Sequence, residues 1–467
     1  MPNHFFIYPK MHRRQRLLVA VIATAAIAAG CGRPVPPSSA IVQDLPNYCA
    51  SATSPPYPDV LAPNGKKFIV GLLDLGQTNF PSASTPANTL YYACNVSPAI
   101  NGLVVNDNWA DLQPGGENTP IMTRNIDAAL AAVAAYNASN PAHPVGVRLR
   151  VMGGIDAPGW AKDIGGPIPI CDASGSTPPP TPFPTPPGAT PTPSPTGPTP
   201  CPAEFVRTAG AYWTVPYQQA WSNVQHQLAA KYDGNPLIAE VSVTSCVSFG
   251  DEEFLSPIDE WTTDNLNEFG YTNEAFEACL MQALDAYSGW RRTIIDDIFN
   301  PFYMITFHSP ILTWDVGFTE ALMQNCVSSL GSRCLLDNQE LGKFTPAPSG
   351  GPTAPPNVQN LFAMWSYMES LHEQGVMVTF QTTSPGNLLH TWGSNDAGWN
   401  AVVQLARQFG AGSLELWPPE LSTLPSPAPG GTPIPCLFVG HPEFTGYTCF
   451  STPTLLGWGQ SLAPNGP

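Results

Sequence analysis

The chain has 467 residues, of which 43% are hydrophobic and 10% aromatic, enough for one large packed domain or two modest ones and too many for a disordered chain. Its 18 Lys and Arg stand against 35 Asp and Glu for a net charge of −17, which argues against a protein that tracks nucleic-acid phosphates. The 55 prolines and 11 cysteines call for local explanations.

The first predicted element is an export signal over residues 1–30. A basic stretch from Lys10 to Arg16 precedes an uncharged, mostly apolar run from Leu17 to Gly30. That run is shorter than the ~20 residues needed to span a bilayer. Small residues leading into Cys31 resemble the lipobox of bacterial lipoproteins, in which the cysteine is acylated and becomes the new N-terminus. The expectation is an exported protein held at the envelope by a lipid on Cys31, with the Pro- and Ser-rich residues 31–62 as a tether. A plain secretory signal with an unrelated Cys31 is the alternative.

With Cys31 given to lipid, ten cysteines are left, enough for five bridges. Pairing by proximity couples Cys49 with Cys94, Cys171 with Cys201, Cys246 with Cys279, Cys326 with Cys334, and Cys436 with Cys449. No C-x-x-C spacing occurs, so neither a zinc site nor any other cofactor is expected.

From residue 63 to 467 the pattern alternates short strand-like runs with longer helical ones. Strands are predicted at 67–74, 102–107, 145–152, 238–246, 302–308, 334–339, 376–382 and 413–417. Helices are predicted at 123–137, 216–232, 274–298, 316–330, 357–373 and 398–409. Eight such units predict an α/β fold of the (β/α)8 TIM-barrel type. An open doubly wound sheet is the alternative, disfavoured because no glycine-rich nucleotide turn follows an early strand. Residues 178–200 hold 12 prolines between Cys171 and Cys201, and 418–435 are also Pro-rich. Both read as loop insertions, near 172–202 and 418–450, with no capacity to form a core.

Alternation along each strand separates an apolar outer face from an inner one. The inner set includes Arg148, Arg150, Thr244, His308, Gln381 and Glu415, with Asn106 or Asn108 and Asn338. Polar residues from separate strands, gathered near the strand C-termini, are what a barrel active site requires. Two interior arginines also need carboxylate partners, which Glu415 or the run Asp251-Glu252-Glu253 can supply.

Three segments resemble the (β/α)8 glycoside hydrolases of the superfamily containing cellulases and β-galactosidases. Gly102 to Pro114, with Trp109 inside it, is similar to their second strand and loop. Val147 to Gly154, followed by Ala157-Pro158-Gly159-Trp160, is similar to the third. Tyr217 to Val243 is similar to the helix leading into the fourth. The resemblance runs over residues 66 to 420 and implies an acid/base Glu after strand four and a nucleophilic Glu ending strand seven. Here the fourth loop carries Asp251-Glu252-Glu253 without a preceding Asn, and strand seven ends in Gln381, an amide that cannot attack an anomeric carbon.

Cleavage of a glycosidic bond needs two carboxyl groups. Glu252 is expected as proton donor, with Glu253 and Asp251 as alternatives, and Glu415 as nucleophile or base beside Arg150. An ion pair of Glu415 with Arg150 that serves only the fold is the competing expectation. Asn108, Trp109, Arg150, Trp160, His308, Gln381, Trp392 and Trp417 are expected to bind sugar, since several tryptophans follow predicted strands and sugars stack on such rings. Two functions follow from the resemblance: a tethered glycosidase acting on an oligo- or polysaccharide, or a carbohydrate-binding barrel that has lost its strand seven nucleophile. Neither nucleic acid nor a metal is expected as a partner, and the sequence leaves the oligomeric state open.

Overall fold

The computed structural model describes residues 66, 68–75, 99–172, 200–250, 252, 259–307, 312–345, 356–392, 396–417 and 452–466. The expected signal, the Cys31 tether, the cores of both Pro-rich insertions, His308 and the pairs Cys49/Cys94 and Cys436/Cys449 lie outside these residues.

Eight parallel strands close into a barrel: β1 (Gly71–Asp74), β2 (Ile100–Asn108), β3 (Gly146–Met152), β4 (Ile238–Ser242), β5 (Ile294–Ile298), β6 (Cys334–Asp337), β7 (Met377–Gln381) and β8 (Ala411–Leu416). Each strand pairs with its sequence neighbours, and β8 returns to β1 with Leu72 opposite Leu414. The expected TIM-barrel class is therefore the observed one. Helices Arg124–Ser139, Val215–Tyr232, Val316–Leu330, Pro356–His372 and Asp396–Gln408 follow the expected periodic segments closely. Thr452–Leu462, a helix the sequence reading missed, packs on β1 and β8 and buries Leu455, Trp458 and Leu462.

The fifth strand corrects the sequence reading. The helix expected over 274–298 ends at Gln282, runs through a 3-10 turn to Tyr287, and gives way to β5 at Ile294. The segment expected as strand five instead forms a small antiparallel hairpin, Tyr303–Ile305 against Leu312–Trp314, outside the barrel. Two aspartates in Thr293-Ile-Ile-Asp-Asp-Ile298 hide the strand, because a charge in mid-strand is tolerated only with a partner from elsewhere in the chain.

The barrel floor is apolar and depends on missing side chains. Gly102 and Gly146 are register partners, and a Cβ on Gly102 would fall 2.6 Å from Ile69, which packs with Leu73, Val104 and Ala239. Three expected disulfides are present: Cys171–Cys201, Cys246–Cys279 and Cys326–Cys334. The first closes the base of the proline-rich insertion. The second ties the loop after β4 to helix Asn273–Gln282.

Candidate functional site

Above the floor, the inward side chains of β3 meet carboxylates from four other strands. Arg148 Nε donates to Glu240 at 2.8 Å, and its Nη1 lies 3.2 Å from Asp337 and 3.1 Å from Glu415, with Asp296 3.4 Å from Nε. Arg150 reaches both oxygens of Glu415, Nη1 to Oε1 at 3.1 Å and Nη2 to Oε2 at 3.0 Å. Ser242 donates to Asp296 at 2.6 Å. All of these side chains are buried. Four carboxylates surround two guanidinium groups, so the cluster is short of positive charge. Burial, with Asp296 and Glu415 adding repulsion, pushes the Asp337 carboxyl well above the usual carboxylate range. Burial also raises that of Glu240, against the pull of Arg148. Both shifts run toward the neutral form of the carboxyl, the direction that eases the imbalance.

Glu415 therefore stands inside this cluster. Its side chain is 0% exposed and both oxygens are engaged by arginine, so sugar has no approach to it. This corresponds to the ion-pair expectation and leaves the nucleophile expectation without an accessible carboxylate. Gln381, opposite Glu415 in the β7–β8 register, is also buried, and its Oε1 lacks a hydrogen-bond partner among the described residues.

The loops at the C-terminal ends of the strands form the mouth, where the arrangement differs. The loop after β4 is anchored by the Cys246 disulfide and by Ile155 N–H, which donates to Ser248 O at 3.0 Å. Gly154 allows that approach: its φ is +54°, and a Cβ there would fall 2.4 Å from Ser248 O. Further along the same loop, Glu252 is half-buried and accepts from Asn300 Nδ2 at 3.0 Å. Asn300 Oδ1 accepts in turn from Asn338 Nδ2 at 3.1 Å, and Asn338 Oδ1 accepts from Trp365 Nε1 at 2.9 Å. A chain of side chains thus runs from helix Pro356–His372 through the tips of β6 and β5 to Glu252. Glu340, just beyond β6, pairs with Lys343 and is 24% exposed.

Three of the expected tryptophans, Trp160, Trp392 and Trp417, are half-buried at the mouth. Each indole N–H is fixed to a main-chain carbonyl: Trp160 to Gln113 at 2.7 Å, Trp392 to Gly342 at 2.7 Å and Trp417 to Thr382 at 2.9 Å. A ring pinned by its N–H and partly open to solvent is a stiff platform for a sugar face. Trp109 corrects the expectation for it. It is 0% exposed and packed edge-on against Trp160, Tyr217 and Trp221, so its faces are covered by protein. Asn106 reaches back to Leu75 O at 3.2 Å, and Asn108 is half-buried at the end of β2. Thr244 is tied to Val151 O and Tyr287 and is a backbone tether rather than a site group.

Sequence reasoning missed Glu240, Asp296 and Asp337 as partners of Arg148, and Asn300 and Glu340 at the mouth. Asn338 was the available signal, a polar residue at a strand tip directly before a loop. Among the described residues no three His, Cys, Asp or Glu side chains are grouped to hold a metal ion, and no helix is long and apolar enough to cross a membrane.

No protein-family model matches the chain, and no curated protein matches it either. Solved structures do. Endo-glycoceramidase II from Rhodococcus sp. is 13% identical, covering 86% of this chain and 80% of its own with a TM-score of 0.43. A second structure, described as a glycoside hydrolase, is 10% identical over 85% of this chain and 98% of its own, TM-score 0.43. The exo-beta-1,4-mannosidase Op5Man5 from Opitutaceae bacterium strain TAV5 is 10% identical over 89% and 62%, TM-score 0.42. These values describe likeness only, and the barrel assignment rests on the strand pairing of this chain itself.

Proposed function

We propose that this chain is a surface-tethered, glycoside hydrolase-like barrel that takes an oligo- or polysaccharide across its C-terminal mouth, with Glu252 as the proton donor. The observation that carries this reading is the placement of Glu252, half-buried on the loop after β4 and aimed by Asn300, whose own orientation is set by Asn338 and Trp365. A general acid must be held at one point while remaining within reach of the leaving oxygen. Trp160, Trp392 and Trp417 supply stacking surface around it, with Asn108 and Gln381 as polar contacts. Arg150 and Glu415 belong to the charged layer beneath the mouth. Cys31 carries the lipid tether in this reading, and Cys31→Ser shifts the protein from the membrane fraction to the soluble one. An unchanged membrane fraction sinks that part.

The burial of Glu415 under two arginines, together with an amide at Gln381, favours a second reading: a carbohydrate-binding barrel without turnover. Wild type and Glu252→Gln, screened on aryl glycosides and on plant and microbial polysaccharides, separate the two. The hydrolase reading expects Glu252→Gln to lower turnover by ~10²–10⁴-fold with binding and melting nearly unchanged. Binding without turnover on every substrate supports the second reading.

A further inference from the structure

A proton donor alone does not hydrolyse a glycoside, and the interior carboxylates are sealed among arginines. The chain of amides that aims Glu252 reaches another carboxylate. Asn338 uses both ends of its side chain: Nδ2 donates to Asn300, and Oδ1 accepts from the backbone N–H of Glu340 at 3.1 Å as well as from Trp365. Two amide groups and three hydrogen bonds thus link the Glu252 carboxylate to the Glu340 backbone.

Position relative to Gln381 adds a second, independent observation. Gln381 N–H donates to Asn338 O at 2.9 Å, and Leu341 N–H donates to Gln381 O at 3.2 Å. Pairing between the two strand tips continues with Leu341 opposite Thr382. Glu340 therefore sits between the two backbone bonds that clasp Gln381, one strand over from the position where the resemblance expects a nucleophile. Gln381 itself has a buried Oε1 with no hydrogen-bond partner among the described residues, so the position beside Glu340 carries an amide in place of the carboxylate that the resemblance expects. Tyr303, edge-on to Trp314, lies within electrostatic reach of both Glu252 and Glu340. Burial first, then Tyr212, and then the charges of Glu252 and Glu340 hold its hydroxyl far above the usual range.

We propose that Glu340 is the second carboxylate of the site, working opposite Glu252 on the anomeric carbon. This rests on the reading of Glu252 as donor and extends it. Water attacks the anomeric carbon and gives a proton to Glu340. The C–O bonding pair leaves with the aglycone oxygen, which takes the proton of Glu252. Solvent then carries the proton from Glu340 back to Glu252, so the net reaction consumes one water. Lys343 is a positioning residue that holds the Glu340 carboxylate.

The test compares wild type, Glu252→Gln and Glu340→Gln on an aryl glycoside that wild type cleaves, with melting as the folding control. Glu340→Gln should lower kcat by ~10²-fold or more with KM within a few-fold, and remove the acidic limb of the kcat/KM pH profile. Glu252→Gln should remove the basic limb. Full turnover and both limbs in Glu340→Gln, with Glu252→Gln impaired, overturn the assignment of Glu340 and leave Glu252 standing. Full turnover in Glu252→Gln overturns the underlying reading instead. Net retention of anomeric configuration, read by NMR, overturns the role of Glu340 as a base on water. If wild type cleaves no glycoside, calorimetry with a basic piperidine iminosugar and its neutral parent sugar gives the answer. The cation mimics the charge of the transition state. A loss of ~10-fold or more in iminosugar affinity for Glu340→Gln, with the neutral sugar unaffected, supports the proposal, and equal affinities overturn it.

Discussion

At the level of Arg148 and Arg150 the barrel packs Glu240, Asp296, Asp337 and Glu415 so closely around the guanidinium groups that the cluster is closed to solvent. Past the strand ends, near Asn338, Glu252 and Glu340 are half-buried and keep access to water. Glu252 accepts from the neutral amide of Asn300, and Glu340 pairs with the half-buried Lys343. Both levels carry charge on strands that a hydrophobic barrel could have left apolar. The difference is in burial: the interior packs carboxylates directly against two guanidinium groups away from water, whereas at the mouth half-buried carboxylates are positioned by an amide at Glu252 and by an ammonium at Glu340. A buried ion pair is weak evidence for activity, and an oriented, half-buried carboxylate is better evidence.

The largest effect expected from breaking this contrast is at Arg148. Arg148→Met removes the guanidinium that all four buried carboxylates meet, and a loss of about 3–5 kcal/mol in urea-measured stability follows from removing one partner of a buried ionic cluster. A loss below about 1 kcal/mol would mean that the interior is as tolerant as the mouth. Next in size is a pH effect beside the mouth. Burial pushes the Asp107 carboxyl, at the end of β2, up to about 6. The folded state then holds a proton that the unfolded chain has released, so stability falls as pH rises from about 4 to about 6. The shift caps this contribution at about 3 kcal/mol. Asp107→Asn should flatten the denaturation profile across that window, and an unchanged slope counts against the shift.

A smaller loss, about 1–3 kcal/mol, is expected for Asn338→Ala, which leaves Trp365 Nε1 and Phe299 O unpaired. Its sharper signature is the separation of effects. Turnover should drop further than in a variant of equal instability made in the floor, such as Val104→Ala. Equal turnover in the two variants would mean that Asn338 serves packing alone. The smallest effect belongs to the proline-rich insertion. Replacing residues 175–198 with a short Gly/Ser turn should move Tm by no more than a degree or two, since Cys171–Cys201 closes its base. A large drop would show that the insertion contributes to the fold.

Much of the barrel was legible because it is periodic. The alternation Val147-Arg-Leu-Arg-Val151 puts both arginines on the inner face, as found, and the Ala-rich helix after Thr123 was plain. The fifth strand was not, because the aspartates of β5 read as helical surface until Arg148, far away in sequence, is seen to meet one of them. At the mouth, Glu252 was visible as part of an acidic run, whereas Glu340 follows its strand without periodicity and gains meaning only from what Asn338 touches. Trp109 looked like the other loop tryptophans. Only the neighbours Tyr217 and Trp221, a hundred residues on, show that it is core.

The seam of the ring has a consequence for how the chain is made. β1 ends at Asp74, yet β8, which pairs with it, begins only at Ala411, and helix Thr452–Leu462 covers both. Trp458 locks that helix by stacking on Trp399 and donating to Asn400, and Gly412 lets the chain at Asn465 come close behind β8. At ~5–20 residues per second, a ribosome releases β1 on the order of tens of seconds before the partner for its open edge exists. During synthesis Gly71-Leu-Leu-Asp74 is an apolar strand with one edge waiting, the condition under which chains pair with one another. A nascent chain halted before Ala411 should therefore associate with its own kind far more readily than one halted after Leu462.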